Sequence, residues 1–211
     1  MQKLVIIGAG GFGREVAWLV ERMNKMEQRY HLAGFVDDGK QPGELIDDYP
    51  VLGNMEWLLS QEEDLSIAVA VGNAGTRKRL AQTVQKKRGI IFPNLIDPSV
   101  RMSERVQLGM GNIITAGTTM TVDILLGDFN ILNLHSTVGH DVRMESYITV
   151  YPGANISGAV TIGECCELGT GCQIIQGLSI TEQVILGAGA VVTKNIVQKG
   201  TYVGVPAQKV R

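Results

Sequence analysis

The stretch "NLHSTVGHDV", Asn133 to Val142, holds two of the chain's three histidines, His135 and His140. Residues of these types at this spacing admit three readings: a pair of metal ligands, a catalytic base beside a bystander, or two solvated surface residues. Imidazole titrates near neutral pH, so it serves both as a general base and as a metal ligand. A catalytic zinc normally takes three protein ligands and keeps a fourth position open. The remaining histidine, His31, lies in a part of the chain with a different pattern, so the ligand count argues against a metal. Asp141 directly follows His140, and a carboxylate beside an imidazole stabilises the charged ring that forms when it accepts a proton.

A second constellation is "GAGGFG", Gly8 to Gly13, a G-x-G-x-x-G that follows an apolar run and opens a helical pattern. Asp37 and Asp38 end the next expected strand. Alone, this spacing points to a dinucleotide cofactor. Size argues otherwise, because the roughly 95 residues ahead of the repeat described below have room for one mononucleotide-binding half. A tight turn with no ligand is the plainer alternative. Arg77, Lys78 and Arg79 open a later helix, where they would either assist an anion or form a solvated face. Cys165, Cys166 and Cys172 are an odd number in one short window, with no common zinc or disulfide spacing. Cys166 and Cys172 read as small core residues.

These residues need elements to hold them. "KLVII" at 3 to 7 reads as a buried strand, and Arg14 to Met26 places Val16, Leu19, Val20 and Met23 on one helical face. "HLAGFVDD" and "LSIAVAVGN" give further strands, and a helix is expected from about Thr76 with Leu80, Ala81 and Val84 inward and Gly89 near its end. This is a parallel α/β unit. From Ile96 the period changes: stepping by six as far as Val192 meets seventeen positions, each aliphatic or Met. At the chain's 45% apolar content, seventeen successive hits have odds of about one in a million, so a hexapeptide repeat stacking as a parallel β-helix is expected. His140 stands two places after the inward Val138 and His135 three after Leu132, so the two histidines occupy different parts of their hexads.

Composition narrows the function classes. A chain of 211 residues with net charge −2 and 19% charged residues has a foldable core and no global charge that would draw nucleic acid or an anionic membrane. The odd, clustered cysteines make a poor disulfide framework, so a reducing cytosol is expected, and the opening apolar run is too short for a signal peptide and no run approaches a membrane span.

The unbroken hexads, "LGAGAVVTKN" at 186 to 195 and the closing "GVPAQKV" resemble the bacterial hexapeptide-repeat acetyltransferases with a left-handed β-helix. "VIIGAGGFGREV", "FVDD" and "AVGN" narrow the resemblance to the sugar acetyltransferases, which include nucleotide-aminosugar N-acetyltransferases and sialic acid O-acetyltransferases. The resemblance implies a Rossmann-like α/β half-domain over 1–93 and a left-handed parallel β-helix of between five and six coils over 94–211. It implies a homotrimer with active sites between neighbouring β-helices, acetyl-CoA as co-substrate, no metal, and a sugar acceptor in surface-glycan biosynthesis.

Residue by residue, it assigns His140 as base, Asp141 as the group that raises its basicity, and Gly158, one eighteen-residue coil further on, as the N–H facing the oxyanion. Gly10, Gly11, Phe12, Asp37, Asp38 and Gly72 would contact the nucleotide-sugar, and Asn133 the sugar or merely its own turn. Thr170, Ala188 and Lys194 would line the acetyl-CoA groove. Thr149 stands where some members carry a second histidine near that cofactor. His135 receives no role. The left-handed β-helix also hosts gamma-class carbonic anhydrases, so a metal-dependent hydratase is one rival, and a non-catalytic nucleotide-binding scaffold is another.

Overall fold

A computed structural model describes residues 1–210; residue 211, the last of the expected second domain, lies outside the described residues. The chain begins with β1 (Gln2–Ile7), whose four consecutive buried apolar residues make it the centre of a sheet covered on both faces. There follow α1 (Gly11–Met26), β2 (Tyr30–Val36), β3 (Leu45–Ile46), β4 (Tyr49–Gly53), α2 (Met55–Ser60), β5 (Leu65–Val69), α3 (Ala74–Val84) and β6 (Ile90–Ile91). The sheet order is β3-β4-β2-β1-β5-β6, parallel except for the β3–β4 hairpin. β3, β4 and α2 are too short to carry a hydrophobic period, and only tertiary contacts reveal them. α3 begins at Ala74 rather than Thr76, because the Asn73 side chain caps it by accepting the Thr76 N–H at 2.9 Å.

From Leu95 the chain winds into a left-handed parallel β-helix, whose parallel stacking of short strands is what the period of six predicts. Two-residue strands stack at a spacing of eighteen residues, so Ile114 lies beside Leu132, Met120 beside Val138 and Leu126 beside Met144. Five full coils are followed by a sixth, whose third side is reduced to a bridge between Ile180 and Ile196. Leu132, Val150, Leu168 and Leu186 form one inward column, each buried and each contributing about 1.5–3 kcal/mol of apolar burial. Ala154, Cys166, Cys172 and Ala190, four places after an inward residue, fill the insides of corners where little volume is left. Burial pushes the Cys166 and Cys172 thiols up to about 12, which keeps both as inert packing.

The prism has three faces. The first carries strands such as Ile131–Leu132, the second Thr137–Val138, the third Arg143–Met144. Between them run the first edge (133–136 in this coil), the second edge (139–142) and the third edge (145–148). The α/β lobe sits on the first face and third edge. Leu95, Ile113 and Ile131, the outward residues of the first face, are buried with Val16 and Leu19 of α1. Phe129 and Tyr147, on the third edge, stack with ring centroids 5.4 Å apart and pack against the lobe's second core. Asp97 joins the layers by a two-pronged ion pair with Arg22 of α1, at 2.6 and 3.0 Å. The second edge is therefore the one opposite the lobe.

Candidate active site

His140 and Asp141 occupy the second edge. Asp141 adopts a left-handed backbone, φ 60°, which aspartate tolerates better than most residues. Its carboxylate lies 2.8 Å from His140 Nδ1, so Nδ1 carries the hydrogen and Nε2 is left as proton acceptor. Both side chains are open to solvent. One coil further on, Gly158 lies under the ring: a Cβ there would stand 2.5 Å from His140 Nε2. Among the described residues the Gly158 N–H has no acceptor, although the residue is buried. A proton acceptor and a free amide thus face the same space, the arrangement that an acyl transfer needs.

Gly139 has no place in the sequence reading, yet it keeps that amide uncovered, since a Cβ on Gly139 would lie 2.6 Å from the Gly158 nitrogen. The signal was available, because eighteen residues beyond Gly139 lies Ser157, which adjoins Gly158.

The other expected residues fall into separate groups. In the lobe, Asp37 and Asp38 line a pocket of about 140 Å³ with Ile7, Gly8, Val36, Met55, Val71 and Leu80. Asp37 accepts the Ala9 N–H at 2.8 Å, which ties β2 to the glycine loop, and the Gly39 N–H at 2.8 Å; Asp38 accepts the Met55 N–H at 2.9 Å. Gly13 is required by packing, since its Cβ would sit 2.0 Å from the Gly8 carbonyl oxygen. Gly10 and Gly11 have open space where a Cβ would be. No acidic residue occupies the first turn of α1, so its amides are open to an anion. Phe12 is half-buried against the core beneath α1.

Asn133, on the first edge, accepts the Leu134 N–H at 2.7 Å through its Oδ1, as a turn cap does; its Nδ2 has no acceptor among the described residues. Thr170 and Ala188 are exposed on that same edge, one coil apart. Lys194 is exposed on the second edge, three coils from His140, about 14 Å at the spacing of paired strands. His135 and His140 lie on different edges, and no three His, Cys, Asp or Glu converge in metal-ligand geometry among the described residues.

Two expectations need correction. Thr149 does not face a groove: it lies on the first face beneath the lobe, 1% exposed, with its hydroxyl donating to the Gly72 carbonyl at 2.6 Å. Its hydroxyl is thus part of the seam between lobe and β-helix. The Arg77 to Arg79 run is neither an anion clamp nor a plain solvated face. Arg77 is buried and donates to the carbonyls of Phe129, Val71 and Gly72, while Lys78 pairs with Glu164. Burial pushes the Arg77 guanidinium down to about 10, with the Glu167 charge opposing the shift. The N-terminus of α3 already holds an anion of the chain's own: Glu167 of the β-helix accepts from Asn73 Nδ2 at 2.9 Å and from the Ala74 N–H at 3.0 Å. Gly72 is thus fixed by the seam behind the pocket wall formed by Val71.

A left-handed hexapeptide β-helix with a His–Asp pair on an open edge, joined to a half-Rossmann lobe, defines a hexapeptide-repeat acyltransferase. Residues 3–84 match the model of the PglD N-terminal domain. The chain is 30% identical to GDP-perosamine N-acetyltransferase of Escherichia coli O157:H7, over 87% of this chain and 82% of that one. It superposes on perosamine N-acetyltransferase from Caulobacter crescentus, solved with CoA and GDP-perosamine, with a TM-score of 0.88 and 30% identity, covering 99% of this chain and 96% of that one. The acetyltransferase domain of PglB from Neisseria gonorrhoeae FA1090, solved with acetyl coenzyme A, gives a TM-score of 0.91 and 32% identity over 99% of each chain. The chain belongs to the sugar acetyltransferase family that contains the GDP-perosamine N-acetyltransferases.

Proposed function

We propose that the protein transfers the acetyl group of acetyl-CoA directly to the amine of a nucleotide-linked aminosugar, in the cytoplasm, as a step in surface-glycan biosynthesis. One observation carries this reading: His140 Nε2 and the free Gly158 amide border one space, with Asp141 on the far side of the ring. Similarity to enzymes named for GDP-perosamine favours an amine over a hydroxyl as acceptor. O-acetylation of a free sialic-type sugar is the rival; it would leave the open N-terminus of α1 and the Asp37–Asp38 pocket without a ligand.

Acetyl-CoA, when bound, supplies the thioester carbonyl. Its fit rests on the first edge, where Cβ atoms on Gly153, Gly171 and Gly189 would meet nothing within 4 Å, so the backbone beside Thr170 and Ala188 is open to a slender chain. Lys194 offers a cation towards the C-terminal end. His140 takes the proton from the attacking amine as its C–N bond forms, Asp141 holds the charged ring, and the Gly158 N–H donates to the oxygen on which negative charge develops. The thioester C–S bond then breaks, and the His140 imidazolium returns the proton to the departing CoA thiolate. Gly10, Gly11, Asp37 and Asp38 hold the nucleotide part, with Gly72 fixing the wall behind them, and the Asn133 amide the sugar.

Within one chain these parts do not meet, because the lobe covers the first face and third edge while His140 stands on the opposite edge. A cyclic homotrimer resolves this, with each active site shared between two copies. The test is thiol release from acetyl-CoA over a panel of GDP- and UDP-linked aminosugars and free sugars. Turnover with a nucleotide-linked aminosugar, and a loss of about 10²–10⁴ in kcat for His140→Ala, are expected. No turnover with any member, or full activity of His140→Ala, would overturn the reading.

A further inference from the structure

His135 is the histidine without a role so far, and its backbone is unusual for its place. It has φ 55°, in the left-handed region. The same corner position in other coils is glycine at Gly117, Gly153, Gly171 and Gly189, with φ between 67° and 76°. Non-glycine residues also take this conformation on the other two edges; Ala159 there is exposed and its methyl holds nothing, but several others have side chains in use. Asp141 holds His140, Asp123 holds Arg105, and Phe129 and Tyr147 pack against the lobe. Strain of this kind persists where a contact or a function repays it. The His135 ring has no hydrogen-bond partner among the described residues, and it is exposed. It lies over Gly117, where a Cβ would stand 2.3 Å from its Nδ1, so a second glycine makes room for the ring. The side-chain-free run Gly153, Gly171, Gly189 therefore ends, at its N-terminal end, in an imidazole.

Symmetry says what this ring faces. In a closed ring of identical chains a patch on one copy meets a different patch on the next. The third edge is buried under the chain's own lobe, so a ring that joins edge to edge sets the second edge of one copy against the first edge of its neighbour. With β-helix axes aligned along the symmetry axis, equal coils lie at equal height. His140 and His135 belong to one coil.

We propose that His135 is a second catalytic-site residue, contributed by the copy opposite His140, whose ring N–H donates to the acyl carbonyl of acetyl-CoA at the head of the glycine-lined edge. The proposal rests on the intersubunit acetyltransferase reading and adds to it which edge brings the acyl group to the base.

His135→Gly is a mild variant for folding, because it installs the residue found at four of the other five equivalent positions, Ser99 being the exception; an unchanged or higher Tm is expected. Calorimetric titration should show its affinity for acetyl-CoA falling about tenfold, with that for CoA changed less than about twofold. Equal losses for both ligands, no loss for either, or a rise confined to the KM of the sugar would overturn the proposal. Subunit complementation supplies the second arm. His135→Gly and His140→Ala chains carrying different tags are co-expressed, and hybrid trimers are isolated through both tags. Every hybrid ring then contains one site with both histidines intact, so about a third of wild-type activity should return. Activity no higher than the mean of the two parents would overturn the assignment of His135 to the facing copy. Wild-type protein that binds neither ligand, or forms no oligomer, would overturn the underlying acetyltransferase reading itself.

Discussion

His140 and Gly158 lie eighteen residues apart, Ala9 and Asp37 twenty-eight, and each pair meets in the folded chain. The first meeting follows from the repeat. Each coil consumes eighteen residues, so a residue's place on an edge is set by counting. A slip of one position would turn every inward side chain outward. The second meeting follows from no count. It needs β1 and β2 to pair, α1 to cross over them, and Gly13 to let the helix approach the Gly8 carbonyl. The β-helix is a ruler and the lobe a three-dimensional agreement between unequal elements, so the same substitution has different consequences in each.

The sharpest way to break that contrast is at Gly139. In Gly139→Ala the new Cβ would stand 2.6 Å from the Gly158 nitrogen, so the backbone that presents the amide must shift. We expect kcat to fall by about 10²–10³ with little change in the KM of either substrate, the usual cost of losing an oxyanion donor. A fall of less than about threefold would mean that the position placed by counting is not a reacting position.

In the lobe the comparison is between two glycines of one loop. Gly13→Ala would push a Cβ to 2.0 Å from the Gly8 oxygen, and a cost of about 1–3 kcal/mol in denaturant unfolding is expected. Gly11→Ala meets nothing within 4 Å and gains about 0.5 kcal/mol of helix propensity. It should leave the fold intact and raise the KM of the nucleotide-sugar. A destabilised Gly11→Ala would show that open space there is packing, not a binding surface.

The smallest effect concerns the joint between the two regions. Burial alone would raise the Asp97 pKa, but the bonds from Arg22 and Ser99 outweigh it and hold the carboxyl below its ordinary value. Its stabilising contribution is therefore complete above the unfolded carboxylate value, about pH 4, and is lost as pH falls through the lower folded value. Asp97→Asn should have a lower Tm than wild type at pH 7, with the gap closing in acid. A gap that stays constant down to pH 3 would show that the ion pair does not couple the joint to protonation.

Much of this arrangement is legible in the sequence. The seventeen hexad positions announced the β-helix, and the half-Rossmann lobe followed from one strand, one glycine loop and the length ahead of the repeat. His140, Asp141 and Gly158 fell on one edge because register alone puts them there. Thr149 misled because counting says which coil and face a residue occupies and nothing about what covers that face; here the lobe covers it and the hydroxyl bonds Gly72. Arg77 misled for the same reason. A basic run at a helix start looks the same whether solvent or Phe129 lies opposite, and the anion at the N-terminus of α3 came from Glu167, ninety-three residues away.

By itself, then, the sequence determined the period, the order of the two regions and the side-chain chemistry at each edge, because a hexad fixes a residue's direction from its neighbours alone. Tertiary structure decided which face the lobe covers, and hence which edges stay open. That choice depends on contacts between Leu95, Ile113 and Ile131 and a helix nearly a hundred residues upstream, and no local pattern records them. Mounted there, the lobe leaves His140 on the far edge of its own chain.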